Sequence, residues 1–281
     1  MSKQTKYPKV QVLGLELDRL TIKQGTDYIV HWAKAPNLAC YVVKPYVEFI
    51  DRALKDRETM TILNNAELAL ADGVSLQWAA SYLQAKPSLR RWLLSLLGII
   101  ARSKKVKKLV PELSAGLDFT QALLAACAEN NLTIWLVGSP RKRSINHTAR
   151  YLSLHWPGLH IAGTFSGRDP GSGKFSGRME KELAKKLKAH RPHIILFGLS
   201  FPKQEQVMAS LSKKLDHGVL IGEGGSFDYK QFGGTIARAP KWLRKSGLEW
   251  LWRLIRQPQR IGRQLAIPRF MWKVYRSSRR R

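Results

Sequence analysis

The sequence contains only two cysteines, Cys40 and Cys127, and both lie among apolar neighbours. Two thiols are too few for a disulfide framework or a structural zinc site. We therefore expect both to be buried, reduced side chains in a reducing compartment. The sequence also lacks an Asp-x-Asp pair and any His and Cys at metal-ligand spacing. We accordingly expect no bound metal and no cofactor.

Long hydrophobic runs are absent as well. The longest strongly apolar stretch, residues 92–101, has about half of the roughly 20 residues that a membrane-spanning helix needs. The N-terminal residues 1–10 are polar and basic, without the apolar segment of a secretory signal behind them. We expect neither a secretory signal nor a single helix that crosses a bilayer.

Acidic residues are scarce, since 20 Asp and Glu stand against 48 Lys and Arg, for a formal net charge of +28. Such an excess indicates a polyanionic partner: a nucleic acid, an anionic lipid surface or a phosphorylated substrate. With 281 residues and 44% hydrophobic content, the chain can bury one sizeable core or two smaller lobes.

Short apolar runs alternate with amphipathic stretches from residue 133 onward. The pattern predicts strands at residues 133–137, 160–164, 193–197 and 218–221, and helices at residues 141–155, 179–190 and 202–215. This alternation indicates an α/β fold with a Rossmann-like parallel sheet, helices on both faces, and ligands bound beyond the carboxyl ends of the strands. The first third is less regular: residues 42–43 and 61–63 suggest strand ends, and residues 75–83 a helix.

Two basic segments stand apart from this pattern. Residues 88–108 place apolar side chains on one helical stripe between clusters of Arg and Lys. This composition suits a helix in a membrane interface and equally a helix packed on the protein core with a solvated basic tail. Residues 241–281 carry thirteen Lys and Arg, one acidic residue and six Trp, Phe and Tyr, a composition that suits a lipid headgroup layer or a nucleic acid.

The loops offer candidates for chemistry. Asp72 precedes Gly73 after an apolar stretch, where a turn would expose a carboxylate at the edge of a cleft, although Asp-Gly also marks ordinary turns. Glycines follow three predicted strands, at Gly138, Gly198 and Gly222, where backbone amides could approach a phosphate or simply form tight turns. None of these loops matches a phosphoryl-transfer or dinucleotide-binding motif, so neither kind of site is expected. Because the sequence also lacks a metal-ligand pattern, cationic side chains would neutralise the diphosphate leaving group if the protein uses a nucleotide sugar.

Several stretches together resemble a known family. They are NNAE (64–67), ADG (71–73), GLD (116–118), FGLSFPKQE (197–205), GEGGSFDY (222–229), RAPKW (238–242), GLEW (247–250), RLI (253–255) and PQR (258–260). In this order, over about residues 10 to 265, they resemble the WecG/TagA/CpsF glycosyltransferases of bacterial cell-surface polysaccharide synthesis.

The resemblance implies an inverting, metal-independent transfer of a sugar from a UDP-sugar to a polyprenyl-diphosphate-linked saccharide. It implies a peripheral protein at the cytoplasmic face of the bacterial inner membrane, with an anionic membrane surface as partner and no nucleic acid. A catalytic α/β domain would span residues 1–237, and a basic, aromatic-rich helical appendage at residues 238–281 would dock on the membrane. The oligomeric state stays open.

By position, the resemblance makes Asp72 the general base and Gln204 a donor contact. The other candidate substrate-binding residues are Lys44, Asn65, Asp118, Gly138, Gly224, Gly225, Ser226, Asp228, Arg238, Arg253 and Arg260. Among them, the glycine-rich group from Gly224 to Asp228 would form the nucleotide-sugar pocket, and the three arginines would close over the diphosphate.

The sequence also departs from the family pattern. Lys44-Pro45-Tyr46 stands in place of Thr-Pro-Asn, Leu113 in place of an arginine, and Glu223 at a usually apolar position. Lys44 would pair with a donor carboxylate or an acceptor phosphate, or would be a plain surface lysine. Because these changes lie near the sugar, the donor could carry N-acetylmannosamine, its uronic acid, glucose or glucuronic acid. A basic nucleic-acid-binding protein and a catalytically inactive scaffold of a polysaccharide assembly complex remain the alternatives.

Overall fold

The computed structural model describes residues 7–84, 88–100, 109–112, 116–138, 143–168, 172, 174–245, 249–256, 258 and 261–280. Its strands are β1 (Lys9–Val12), β2 (Leu15–Asp18), β3 (Ala39–Val43), β4 (Leu68–Ala69), β5 (Thr133–Gly138), β6 (His160–Ser166), β7 (Ile194–Gly198) and β8 (Gly218–Gly222). Its helices are α1 (Ile22–Lys34), α2 (Val47–Ala53), α3 (Arg57–Asn64), α4 (Val74–Tyr82), α5 (Leu89–Ile100), α6 (Gly116–Glu129), α7 (Ile145–His155), α8 (Gly177–His190), α9 (Lys203–Ser212), α10 (Lys241–Lys245), α11 (Glu249–Arg256), α12 (Ile261–Gln264) and α13 (Ala266–Ser278).

Six of the strands form one sheet in the order β4-β3-β8-β7-β5-β6. Every neighbouring pair in it is parallel. Strands β1 and β2 form a separate antiparallel hairpin. The predicted Rossmann-like α/β fold is confirmed, and all six carboxyl ends meet at one edge of the sheet, where ligands bind in such folds.

Alternate side chains of each central strand enter two different cores, one on each face. In β3, Tyr41 and Val43 belong to one core, and Cys40 and Val42 to the other. Helices cover both faces because both are apolar, as expected for a parallel sheet. Cys127 lies with Cys40 in the second core, both thiols are free, and burial raises the pKa of each to about 12.

The predicted strand end at residues 61–63 is wrong. These residues form the last turn of α3, which begins after Asp56, whose side chain accepts a hydrogen bond from the backbone N–H of Glu58. Thr59 and Leu63, four residues apart, are both buried. The cap and this helical spacing therefore override the strand preference of the Thr-Ile-Leu run. The other predicted strands and helices are present, with ends shifted by a few residues.

Helix α13 packs against α2 and α4, and its Phe270 and Val274 lie in the first core. Helix α5 lies beside it, since Trp92 Nε1 donates a hydrogen bond to the Met271 carbonyl at 3.2 Å. Among the described side chains of α5, those of Trp92 and Leu96 meet the protein core and that of Leu93 faces solvent. The predicted segment beyond residue 100 lies outside the described residues. In the part of the chain that the structure describes, none of the helices has the length and apolar content of a membrane-spanning segment.

Candidate active site

Asp72 follows β4 at the carboxyl edge of the sheet. Its backbone N–H donates to the Pro45 carbonyl at 2.9 Å, which fixes the segment after β4 beside the segment after β3. Gly73 turns the chain with a φ of 110°, and the Tyr46 ring occupies the place where a Cβ would lie. Only glycine fits this turn without strain, so the turn leaves the Asp72 carboxylate half-buried at the edge of the cleft.

The glycine-rich turn after β8 faces the same place. A Cβ built on Gly116 would lie 3.8 Å from Asp72 Oδ2 and 3.6 Å from Ser226 Oγ. The start of α6 therefore brings the Asp72 carboxylate and the glycine-rich turn to within a few ångströms of one backbone position. The Ser226 hydroxyl donates to the Glu223 carbonyl at 2.8 Å, which holds the turn closed.

Gly224 and Gly225 leave open space in this turn. Gly224 has a φ of 54°, and a Cβ on it would meet no atom within 4 Å. A Cβ on Gly225 would lie 3.7 Å from Asp228 Oδ2, so the Asp228 carboxylate borders the turn. An open glycine backbone of this kind allows a ligand to approach closely.

Gln204 braces two of the loops from inside the protein. Its Oε1 accepts hydrogen bonds from the backbone N–H groups of Leu199 at 3.2 Å and Gly224 at 2.9 Å. Its Nε2 donates to Glu205 Oε1 at 2.9 Å. Both side chains are buried, and burial raises the pKa of Glu205 to about 7. In this arrangement Gln204 joins the loops after β7 and β8.

Arg238 forms a two-pronged ion pair with Asp118, with Nη1···Oδ1 and Nη2···Oδ2 distances of 2.6 and 2.5 Å. Arg244 Nη1 adds a third cationic contact at 3.8 Å from Asp118 Oδ1. Sequence reasoning overlooked Arg244, although its place six residues after Arg238 in a basic segment was visible. This fork of donors matches the geometry of carboxylate and phosphate groups.

Lys44 is buried, so the alternative of a surface lysine is wrong. Its Nζ lies 2.8 Å from Glu223 Oε2, and both side chains are almost fully enclosed, at 5% and 0% exposure. Two of the three departures from the family pattern thus form one ion pair. The third, Leu113, lies outside the described residues.

The structure does not bring every predicted residue to this cleft. Asn65 ends α3 and is exposed before β4, at the opposite end of that strand from Asp72. Gly138 ends β5, and a Cβ there would lie 3.0 Å from the Gly198 carbonyl, so backbone fills its surroundings. Arg253 lies in α11 with a side chain outside the described part, and Arg260 lies outside the described residues altogether.

No group of three His, Cys, Asp or Glu side chains that could hold a metal ion occurs in the part of the chain that the structure describes. Described charged groups around the start of α6 and the glycine-rich turn include the Asp72 and Asp228 carboxylates. They also include the Asp118 carboxylate with its partners Arg238 and Arg244. Such a set can accept a proton from a hydroxyl and bind an anion.

Comparison with known proteins gives a consistent picture. The model of the glycosyl transferase WecG/TagA/CpsF family matches residues 10–97 and 95–281. Two relatives from Staphylococcus aureus, strains MW2 and NCTC 8325 / PS 47, are each 24% identical over 274 residues, covering 97% of this chain and 94% of the relative. Both bear the name N-acetylglucosaminyldiphosphoundecaprenol N-acetyl-beta-D-mannosaminyltransferase. The chain thus belongs to the WecG/TagA/CpsF family of glycosyltransferases.

Proposed function

We propose that this glycosyltransferase moves a hexose-type sugar from a UDP-sugar to a polyprenyl-diphosphate-linked saccharide, with inversion at the anomeric carbon and without a metal. The observation that carries the proposal is the convergence of Asp72 Oδ2 and Ser226 Oγ on Gly116, at the carboxyl edge of the sheet. This is where an α/β fold binds its ligand, and the convergence puts a carboxylate beside an open glycine turn.

In the proposed reaction, the Asp72 carboxylate takes the proton of the acceptor hydroxyl. The hydroxyl oxygen forms a bond to the anomeric carbon while the bond from that carbon to the β-phosphate oxygen breaks, and its electron pair leaves with UDP. A single displacement of this kind inverts the anomeric centre. Base catalysis by a placed carboxylate and charge stabilisation by placed cations are the two contributions that such a step requires.

Arg238 and Arg244 are the described cations proposed to stabilise the departing diphosphate. Arg238 already presents its fork to the Asp118 carboxylate. A diphosphate would compete with Asp118 for the same donors, because phosphate and carboxylate oxygens have similar spacing. Arg253 and Arg260 remain candidates for the same task.

The donor sugar is the least constrained part of the proposal. The names of the relatives suggest an N-acetylmannosaminyl donor and an N-acetylglucosaminyl-diphosphoundecaprenol acceptor. Glucose, glucuronic acid and N-acetylmannosaminuronic acid remain alternatives because Lys44 and Glu223 differ from the family pattern. The Lys44 charge is already matched by Glu223, which weakens the case for pairing Lys44 with a uronic acid carboxylate.

The test is a donor screen. The full chain is incubated with a short-chain polyprenyl-diphosphate N-acetylglucosamine acceptor and each of the four UDP-sugars, and UDP release is measured with and without EDTA. Release that needs the acceptor and persists in EDTA is expected for one donor. Release that EDTA abolishes would overturn the metal-independent step, and no release from any donor with several lipid-linked acceptors would favour the inactive scaffold.

We also propose that the protein docks on an anionic membrane through α5 and α13. In support, these touching helices expose large apolar side chains beside arginines, a combination that suits a lipid headgroup layer. The exposed apolar residues are Leu89, Leu93, Leu94 and Trp272. The exposed Arg90 directly follows Leu89, and the exposed Arg276 lies one helical turn after Trp272. The boundary between a catalytic domain at 1–237 and an appendage at 238–281 is part of this proposal.

Liposome flotation tests the docking. A Leu93→Ser/Leu94→Ser variant should float less with anionic vesicles than the wild type, whereas Leu154→Ser, at an exposed leucine of α7, should float equally. These substitutions are preferable to deleting residues 243–281, because that deletion would remove Phe270 and Val274 from the core. Salt-sensitive retention on DNA without any flotation would favour the nucleic-acid alternative.

A further inference from the structure

A buried polar network lies beneath the candidate active site. Lys44 Nζ contacts Glu223 Oε2 at 2.8 Å and donates to Thr120 Oγ1 at 3.3 Å. The Thr120 hydroxyl also lies within hydrogen-bond distance of Glu223 Oε2 and of the Gly116 carbonyl, and its one proton serves one of these two acceptors. We call Lys44, Glu223 and Thr120 the Lys44–Glu223 network.

Stability alone is a poor explanation for this network. Burying two charges costs desolvation free energy that their attraction repays only with good geometry, and apolar residues of similar volume are often at least as stable. The other carboxylate oxygen, Glu223 Oε1, is buried and accepts no hydrogen bond in the described part of the structure. An unsatisfied buried acceptor adds a further cost.

The network joins the three segments that build the cleft. Lys44 directly precedes Pro45, whose carbonyl accepts the Asp72 backbone N–H. Glu223 directly precedes the open Gly224, and its own N–H donates to the Phe197 carbonyl at 2.7 Å. Thr120 lies one helical turn after Gly116, the position on which Asp72 and Ser226 converge. Each member is thus close in the chain to Pro45, which holds the Asp72 backbone, to the open Gly224, or to Gly116.

We propose that Lys44, Glu223 and Thr120 are positioning residues that fix the distance between the Asp72 carboxylate and the glycine-rich turn. The proposal rests on the proposed glycosyl transfer and adds residues to it that do not themselves meet the substrate. A misplacement of about 1 Å at reacting atoms can lower a rate by about 100-fold. Loosening the network should therefore lower kcat and affect the KM for the donor much less.

The decisive variant is the double substitution Lys44→Met/Glu223→Leu, which removes both charges and keeps the buried volume similar. We expect it to melt close to the wild type, because no charge is left unpaired, and to show a kcat reduced about tenfold or more with a donor KM within about threefold. Lys44→Met alone should melt far lower, because it strands the Glu223 carboxylate. The control is Lys214→Met. It breaks an ion pair outside the cleft, in which Lys214 Nζ lies 2.7 Å from Glu180 Oε1, and should keep the wild-type kcat.

A double variant with both the melting temperature and the kcat of the wild type would overturn the proposal. If the double variant melts far below the wild type, the pair Thr120→Val and Thr120→Ser decides, because only serine keeps the hydroxyl. A low kcat for Thr120→Val together with a wild-type kcat for Thr120→Ser supports the positioning role. Equal, wild-type kcat values for the two variants overturn it. A wild type that releases UDP from no donor contradicts the proposed function itself, so the two failures are distinguishable.

Discussion

The two halves of the sheet end in different ways at the same edge. Strands β4, β3 and β8 are followed by Asp72, Lys44 and Glu223, which supply carboxylates and a cation. Strands β5 and β7 end in Gly138 and Gly198, whose backbones pack directly on each other. One half therefore carries charged side chains at this edge, whereas the other uses its glycines for close packing.

The glycines at this edge have different surroundings in the two halves of the sheet. A Cβ on Gly198 would collide with the Phe227 ring, so no side chain fits there. A Cβ on Gly224 would meet nothing within 4 Å, although its φ of 54° disfavours other residues. The sequence shows a glycine after a strand in both cases, and only the surroundings tell a packing glycine from one that opens a ligand site.

The largest expected effect is at Asp72, in the half of the sheet formed by β4, β3 and β8. Asp72→Asn should leave the fold intact and lower kcat by about 100- to 10,000-fold, the usual contribution of a general base, because an amide cannot accept the acceptor proton. UDP release under saturating donor and acceptor measures it. Asp27→Asn, at an exposed carboxylate of α1, is the control and should keep the wild-type rate. Equal turnover of Asp72→Asn and wild type would remove Asp72 from the mechanism.

A smaller effect is expected at Arg238, which forms the two-pronged ion pair with Asp118. Arg238→Lys keeps the charge and loses the two-pronged donor geometry, so the donor KM or kcat/KM should worsen by about 10- to 100-fold. Steady-state kinetics with varied UDP-sugar measures this change. The matched control is Arg191→Lys, which alters an exposed Arg–Asp pair with Asp216 and should leave kcat/KM unchanged. Equal kinetics of Arg238→Lys and wild type would show that the fork does not serve the diphosphate.

Alanine substitutions at Gly198 and Gly224 should have different effects on stability and on turnover. Gly198→Ala should destabilise the fold by about 1–3 kcal/mol because the new methyl group overpacks against Phe227. Gly224→Ala should cost only about 1 kcal/mol, from the positive φ, yet lower turnover because its methyl group fills the open side of the turn. Urea unfolding and UDP release on the same preparations test the contrast. A Gly224→Ala protein with wild-type turnover would mean that this turn is not where the ligand approaches.

The architecture could be predicted from the sequence because the spacing of apolar residues reflects which side chains are buried. Strands such as residues 194–198 are apolar throughout, as buried parallel strands are, and the intervening helices are amphipathic. The failure at residues 61–63 has a local cause, since three β-branched or apolar residues fit either a strand or the end of a capped helix. The Asp56 cap was the available signal for the helix.

The site was only partly predictable because pairing between distant residues leaves no trace in one sequence. Lys44 and Glu223 were each visible as unusual, but nothing in the sequence joined them across 178 intervening residues. Thr120 carried no signal other than its place four residues after Gly116. The role of Gln204 as a donor contact stays a prediction, and the sequence did not indicate that its side chain also bonds to the backbone of Leu199 and Gly224 and to Glu205.

The smallest expected effect lies at the border between the two halves, where Glu205 is buried beside Gln204. Burial raises the pKa of Glu205 from its ordinary value of 4.5 to about 7. The folded state therefore holds this proton more tightly than the unfolded chain, so its stability contribution is fully present below pH ~4.5 and is lost as the pH rises through about 7. Glu205→Gln keeps the acceptor for Gln204 and removes the titration. It should thus raise the free energy of unfolding by on the order of 1 kcal/mol at pH 8 relative to the wild type, and by less at pH 5.

Glu180 supplies a control of opposite sign. Burial acts to raise the pKa of Glu180, but hydrogen bonds from Lys214 and Ser210 outweigh it and lower the pKa. Its ionised form is therefore stabilising above the unfolded pKa of 4.5, so Glu180→Gln should destabilise the protein by a similar amount throughout pH 5 to 8 and by less only below pH ~4.5. Urea unfolding of both variants between pH 5 and 8 should give difference curves that diverge from each other with rising pH. Parallel curves would mean that Glu205 is already ionised in the folded protein at pH 5. A buried, negatively charged carboxylate would then lie between the two halves of the sheet.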